Sequence, residues 1–177
     1  MKNIGLVHLY YGTGKGKTTA SLGLALRAWG WRKKILVFQF LKKKNFPSGE
    51  IEAVKKLDEN FKIVRFPQEH PLFNKNVDRV KLKKKIARSL IQVRKNIKER
   101  KYDLIILDEV LNLIKEGFVS ERKIIALLKE KNPSTEIILT GRYLSPKLAE
   151  FADYISEIKE IKHPFQKGIK ARRGIEY

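Results

Sequence analysis

The chain has 177 residues, no cysteine, and 39 Lys+Arg against 19 Asp+Glu, a formal net charge of +20. That length suits one domain with a sizeable core, and the cysteine count excludes disulfides, thiolate metal sites and cysteine nucleophiles, while His8, His70 and His163 are too scattered to suggest a metal cluster. Apolar runs are short and strand-like, which argues against a membrane span, and the amino terminus lacks a signal-peptide pattern, so a cytoplasmic protein is expected.

A charge of +20 attracts polyanions. Nucleic acid and a nucleoside triphosphate are both candidates. A Lys/Glu-rich surface with a single methionine also fits a protein from a very hot environment, and this reading is favoured over dedicated nucleic-acid binding.

In chain order, Ile4–Tyr10 reads as a first strand. It runs into Tyr11-Gly12-Thr13-Gly14-Lys15-Gly16-Lys17-Thr18-Thr19, followed by a helix near Gly16–Trp29. Glycines let the backbone curl so that successive N–H groups face one anion, and the helix adds its positive end. Lys17 can reach phosphate oxygens, and the Thr18 hydroxyl can sit on magnesium. The usual loop has a glycine five residues before that of Gly-Lys-Thr. Here that position is Tyr11 and the leading glycine is Gly12, so the loop is one residue short. A merely glycine-rich turn with incidental lysines is the competing reading, and the strand before and amphipathic helix after argue against it.

Lys34–Leu41 reads as a second strand, Ser48 as the N-cap of a helix through Leu57, and Lys62–Phe66 as a third strand. Pro67 to Asn76 reads as a loop. Val77–Arg100 has helical spacing, with Val80, Ile86, Leu90, Val93 and Ile97 mostly on one face. Tyr102–Leu107 is a strand buried on both faces. Helices near Val110–Lys115 and Ser120–Lys131, a strand Glu136–Leu139 and an edge strand Tyr154–Ile161 complete the pattern. Strands alternating with helices predict an α/β fold, a P-loop NTPase-like three-layer sandwich with a mainly parallel central sheet. The whole chain, 1–177, is expected to form one nucleotide-binding domain, with the basic stretch 163–177 as an ordered lid or a loose tail.

Asp108 and Glu109 follow the fourth strand, at the sheet edge where the glycine-rich loop opens. One can hold a metal and the other can orient it or act on substrate; an acidic helix cap is the plainer alternative. Thr140-Gly141-Arg142 puts an arginine at a strand's carboxyl end, within reach of a shared phosphate site, though a surface arginine fits equally. Gln39-Phe40-Leu41-Lys42 stands at the same edge.

Taken together these motifs resemble the P-loop-type corrinoid, or cob(I)alamin, adenosyltransferases. The resemblance runs through the shortened loop from Tyr11 to Ala20, Gln39–Lys42, Ser48-Gly49-Glu50 and Tyr102–Glu109. It continues through Thr140–Arg142, Ala152–Glu157 and Gly168–Tyr177. It implies that cobalt(I) of a reduced corrinoid attacks the 5′ carbon of ATP and that triphosphate leaves. It implies a nucleotide reversed relative to kinases. Lys17 and Arg142 would then stabilise the triphosphate, Thr18 and Glu109 would hold magnesium with Asp108 in support, and Gly12, Gly14 and Gly16 would shape the cradle. Lys17, Glu109 and Arg142 are the expected catalytic residues. Gly12, Thr13, Gly14, Lys15, Gly16, Lys17, Thr18 and Thr19 are the expected nucleotide contacts, and Thr18, Asp108 and Glu109 the metal ligands. A homodimer is implied as well. The sequence departs from the family's pattern twice: it begins at the first strand, where members carry an arm, and it lacks their Gly-Phe-Thr-Trp-like loop. At that place stands Phe66-Pro67-Gln68-Glu69-His70-Pro71-Leu72-Phe73-Asn74, in which Phe73 is the expected substitute. The alternatives are an ordinary P-loop ATPase with Glu109 placing water, and a nucleic-acid-stimulated ATPase.

Overall fold

In β4 (Leu104–Asp108) the side chains alternate strictly between two apolar cores. Leu104 and Ile106 face one core, Ile105 and Leu107 the other. A strand buried on both faces can be apolar throughout, because helices cover the sheet on either side. The computed structural model describes residues 4–43, 47–71, 74 and 76–177. It contains a six-stranded sheet in the order β3-β2-β4-β5-β1-β6, in which every pairing is parallel. The other strands are β1 (Val7–Tyr11), β2 (Ile35–Lys42), β3 (Phe61–Pro67), β5 (Glu136–Gly141) and β6 (Tyr154–Glu157).

One face is covered by α1 (Lys17–Gly30) and α2 (Gly49–Val54), through Leu22, Ala25, Ala28 and Val54 against Ile35, Val37 and Ile106. The other is covered by α3 (Arg79–Lys98), α4 (Val110–Lys115), α5 (Glu121–Lys129) and α6 (Pro146–Phe151). Three layers result, as the strand–helix alternation predicts. Fully burying each such aliphatic side chain contributes roughly 1.5–3 kcal/mol of transfer free energy.

The differences from expectation are local. The β1 strand starts at Val7, since Ile4 is exposed outside the ladder. Helix α3 starts at Arg79, because the Asp78 carboxylate accepts the Lys81 N–H at 2.9 Å and caps it. Its buried face is Leu82, Ile86, Ser89, Val93 and Ile97; Val80, expected on that face, is 67% exposed. Ser48 precedes α2 but its hydroxyl does not cap it; it accepts from Arg65 instead. Helix α6 was not expected; Ser145 caps it and Pro146 opens it. The last strand ends at Glu157 and not Ile161, because the backbone there turns to meet the glycine-rich loop: Ile158 N donates to Tyr11 O, and Ile158 O accepts from Gly14 N. The stretch from His163 holds a short 3-10 turn at Pro164–Lys167.

Candidate functional site at the strand ends

Because the sheet is parallel, Tyr11, Lys42, Asp108 and Gly141 all end at one edge. The loop between β1 and α1 starts at Gly12, whose φ of +118° and closeness to Ile158 (an added Cβ would lie 2.4 Å from its carbonyl oxygen) admit no side chain. Lys17 is buried, and its Nζ donates to Gly12 O at 2.8 Å and Gly14 O at 2.6 Å. Burial pulls its pKa below the ordinary lysine value, while the carboxylate of Glu109 works against that shift. Gly16 stands just before α1, Thr18 points to β4, and Thr13 and Thr19 are exposed. Lys15 Nζ meets Glu176 Oε1 at 3.2 Å.

Asp108 is fully buried. Its Oδ1 accepts from Thr18 Oγ1 at 2.8 Å and from Thr140 Oγ1 at 2.7 Å. Its Oδ2 is buried without a hydrogen bond and lies 3.3 Å from Lys42 Nζ. Glu109 adopts the left-handed conformation, φ +66°, uncommon for a residue with a side chain. Its N–H donates to Thr140 Oγ1 at 2.9 Å, so one threonine holds both acidic residues. Glu109 stands at the head of α4, yet its carboxylate does not cap that helix; it accepts from Asn112 Nδ2. Burial, then the charge of Asp108, raises its pKa above the ordinary glutamate value.

Arg142 is exposed, and its charge is felt by Lys17, Glu109 and His70. Gly141 precedes it because a Cβ there would lie 2.6 Å from Leu111 Cβ. The structure therefore gathers Lys17, Thr18, Asp108, Glu109 and Arg142 at one edge, as their spacing predicts. Phe73 lies outside the described residues. His70, whose pKa burial lowers, stands within reach of the charges of Glu116 and Arg142.

A polar network beside the acidic pair was only partly visible in the sequence. Gln39, fully buried, donates to Glu50 Oε1 at 2.9 Å and accepts from Arg65 Nε at 2.9 Å. Lys42 lies between Glu50 (3.9 Å) and Asp108. Arg65 was missed; the available signal was a lone arginine inside an apolar strand, Ile63-Val64-Arg65-Phe66. Asn112 was missed too, a polar residue in the apolar run Val110-Leu111-Asn112-Leu113.

Among the described residues, no group of three or more His, Asp or Glu gathers as a metal cage, and no helix is long and apolar enough to cross a membrane. The donors at Thr18 and Asp108 are hard oxygens, one of them the hydrogen-bond-free Asp108 Oδ2. This set suits magnesium, which takes few protein ligands and completes its shell with phosphates and water.

Residues 3–177 match the family described as ATP:corrinoid adenosyltransferase BtuR/CobO/CobP. The corrinoid adenosyltransferase of Escherichia coli (strain K12) is 30% identical over 98% of this chain and 86% of that protein. Corrinoid adenosyltransferase CobA of Salmonella typhimurium is 28% identical over 98% of this chain and 86% of its own length. In fold, the chain is similar to the crystal structure of flagellar accessory protein FlaH from Methanocaldococcus jannaschii. There the TM-score is 0.58 at 15% identity, covering 88% of this chain and 71% of that one.

Proposed function

We infer the division of labour in this site from one premise: the chain belongs to the ATP:corrinoid adenosyltransferase family. The reaction moves the 5′-deoxyadenosyl group of ATP to the cobalt of a reduced corrinoid. Cobalt(I) supplies the electron pair for the new cobalt–carbon bond, the bond from C5′ to the phosphate oxygen breaks, and triphosphate leaves with the electron pair of the broken C–O bond. The nucleophile belongs to the substrate. What remains for the protein is to hold the ribose carbon in line and to neutralise the leaving group.

The observation that carries the residue roles is the 2.8 Å bond from Thr18 Oγ1 to Asp108 Oδ1, which brings the loop hydroxyl and the buried carboxylate to one point. Lys17 and the amides of Thr13, Lys15 and Gly16 cradle phosphate, with Gly12 and Gly14 shaping the turn and Thr19 at the head of α1; the Gly14 amide is tied to Ile158 O. Arg142 adds positive charge from β5. Thr18, Asp108 and Glu109 would hold magnesium, which, when bound, supplies charge against the triphosphate. A homodimer is part of the proposal. Supporting it, six of the twelve large apolar residues exposed in the described chain fall in 154–175, on the edge strand β6 and beyond. A reaction that consumes ATP supports a cytoplasmic setting.

The test is an anaerobic assay with ATP, magnesium and chemically reduced cobalamin, read by absorbance and by chromatography of the phosphate products. Adenosylated corrinoid with equal triphosphate is expected. ATP cleaved to diphosphate with no cobalt–carbon bond would reject the proposal in favour of an ordinary ATPase.

A further inference from the structure

Asn112 lies in α4 between Leu111 and Leu113 and is itself buried. Both ends of its amide are used: Nδ2 donates to Glu109 Oε2, and Oδ1 accepts from the Arg142 backbone N–H at 2.7 Å. The partners fix which end is which, since a carboxylate needs a donor and an N–H needs an acceptor. Gly141 packs close by; a Cβ there would lie 3.1 Å from Asn112 Oδ1 and 3.0 Å from its backbone N. Neither a longer side chain nor an apolar one of the same size meets these demands. An aspartate keeps the acceptor for Arg142 and sets a second carboxylate against Glu109.

We propose that Asn112 is a positioning residue for adenosyl transfer: its one amide sets the Glu109 carboxylate and the Arg142 backbone relative to each other. This rests on the roles given to Glu109 and Arg142 above. A glutamate side chain turns about three bonds, and a donor fixed on Oε2 selects one arrangement of them. The Arg142 N–H bond anchors the point from which the guanidinium extends. The backbone around Glu109 is already held by Thr140, so Asn112 orients what the backbone leaves free. The metal-side carboxylate and the phosphate-side arginine come from β4 and β5, and Asn112 keeps them in register.

The experiment compares Asn112→Asp, Asn112→Ser and the double variant Asn112→Asp/Glu109→Gln with the parent chain. Three readouts are taken: kcat with KM for ATP and for the corrinoid, ATP affinity by calorimetry with and without magnesium, and melting temperature. Loss of a residue that orients a metal ligand typically costs about 10–100-fold in affinity or activity. Asn112→Asp and Asn112→Ser are expected to lower kcat in that range while KM for the corrinoid stays put. Asn112→Asp is expected to lower the melting temperature, and adding Glu109→Gln recovers it, because amide and carboxylate have then exchanged places. The double variant stays inactive. The proposal is overturned if Asn112→Ser keeps full kcat and magnesium-dependent ATP affinity, or if the melting shifts of the two substitutions simply add. Failure of the parent chain to form a cobalt–carbon bond would reject the functional reading instead, and the melting and ATP-affinity arms would still decide the role of Asn112.

Discussion

The strand ends that carry the nucleotide site and the tail that reaches back to it are built on opposite terms. Asp108 and Thr140 are wholly buried, and their hydrogen bonds run between neighbouring strands and the first turn of α1. The four residues of β6 are all exposed, and the far end of the tail meets the phosphate loop in the ion pair of Lys15 with Glu176. Buried polar bonds are costly to leave unmade, whereas exposed ion pairs contribute little and weaken with salt. The half that must place charges to a fraction of an ångström is thus fixed by the sheet. The tail is held by contacts that open at little cost.

Lys17→Ala tests the rigid half most severely. Adenosyl transfer is expected to fall by roughly 100-fold or more, with the circular-dichroism spectrum unchanged; full activity would remove the loop from the mechanism. Glu109→Gln is expected next, raising the magnesium needed for half-maximal rate by about 10–100-fold. An unaltered magnesium titration would take Glu109 out of the metal's shell. For the tail, Glu176→Gln removes the partner of both Arg172 and Lys15. Faster proteolysis after residue 160 is expected, with unchanged melting of the body, and a large drop in melting temperature would erase the contrast between the two regions.

The smallest effect concerns an ion pair far from the site. Arg94 and Lys98 hold the Glu130 carboxylate at a pKa of about 2, below its ordinary 4.5. A depressed carboxylate stabilises the fold above its unfolded pKa and loses that contribution as pH falls from about 4.5 toward 2. The denaturation midpoints of the parent and of Glu130→Gln should therefore differ slightly at pH 7 and converge near pH 2. A gap that widens with acid would contradict the pairing.

The legibility of the sequence follows the same division. The glycine-rich loop, the Asp108-Glu109 pair and Arg142 were readable because each is a run of adjacent residues at a strand end, where a parallel sheet dictates the direction. The mainly parallel sheet and the helix layers on both its faces followed from apolar runs flanked by helices. What the sequence hid depends on partners far along the chain. Thr140 acts on Asp108 from the neighbouring strand, 32 residues apart in sequence. Arg65 reaches Gln39 across 26 residues, and Asn112 joins Glu109 to Arg142 only once α4 has docked against β5. Helix α6 escaped notice because six residues carry too little periodicity to read, although the Ser145-Pro146 start was present. Val80 was misplaced because a spacing of six residues from Ile86 falls off the helical stripe, where Leu82 lies on it.

The position of β1 between β5 and β6 has a consequence for how the protein is made. The phosphate loop leaves the ribosome early, yet its backbone partners are Ile158 and the strands that flank β1, all encoded late. At translation rates of ~5–20 residues per second, the interval from Gly14 to Ile158 is roughly 7–30 s, and for most of it, until β5 is made, the first strand has neither neighbour. The nascent chain therefore carries its nucleotide motif unbraced until almost the whole polypeptide exists. The site for ATP is written first and assembled last.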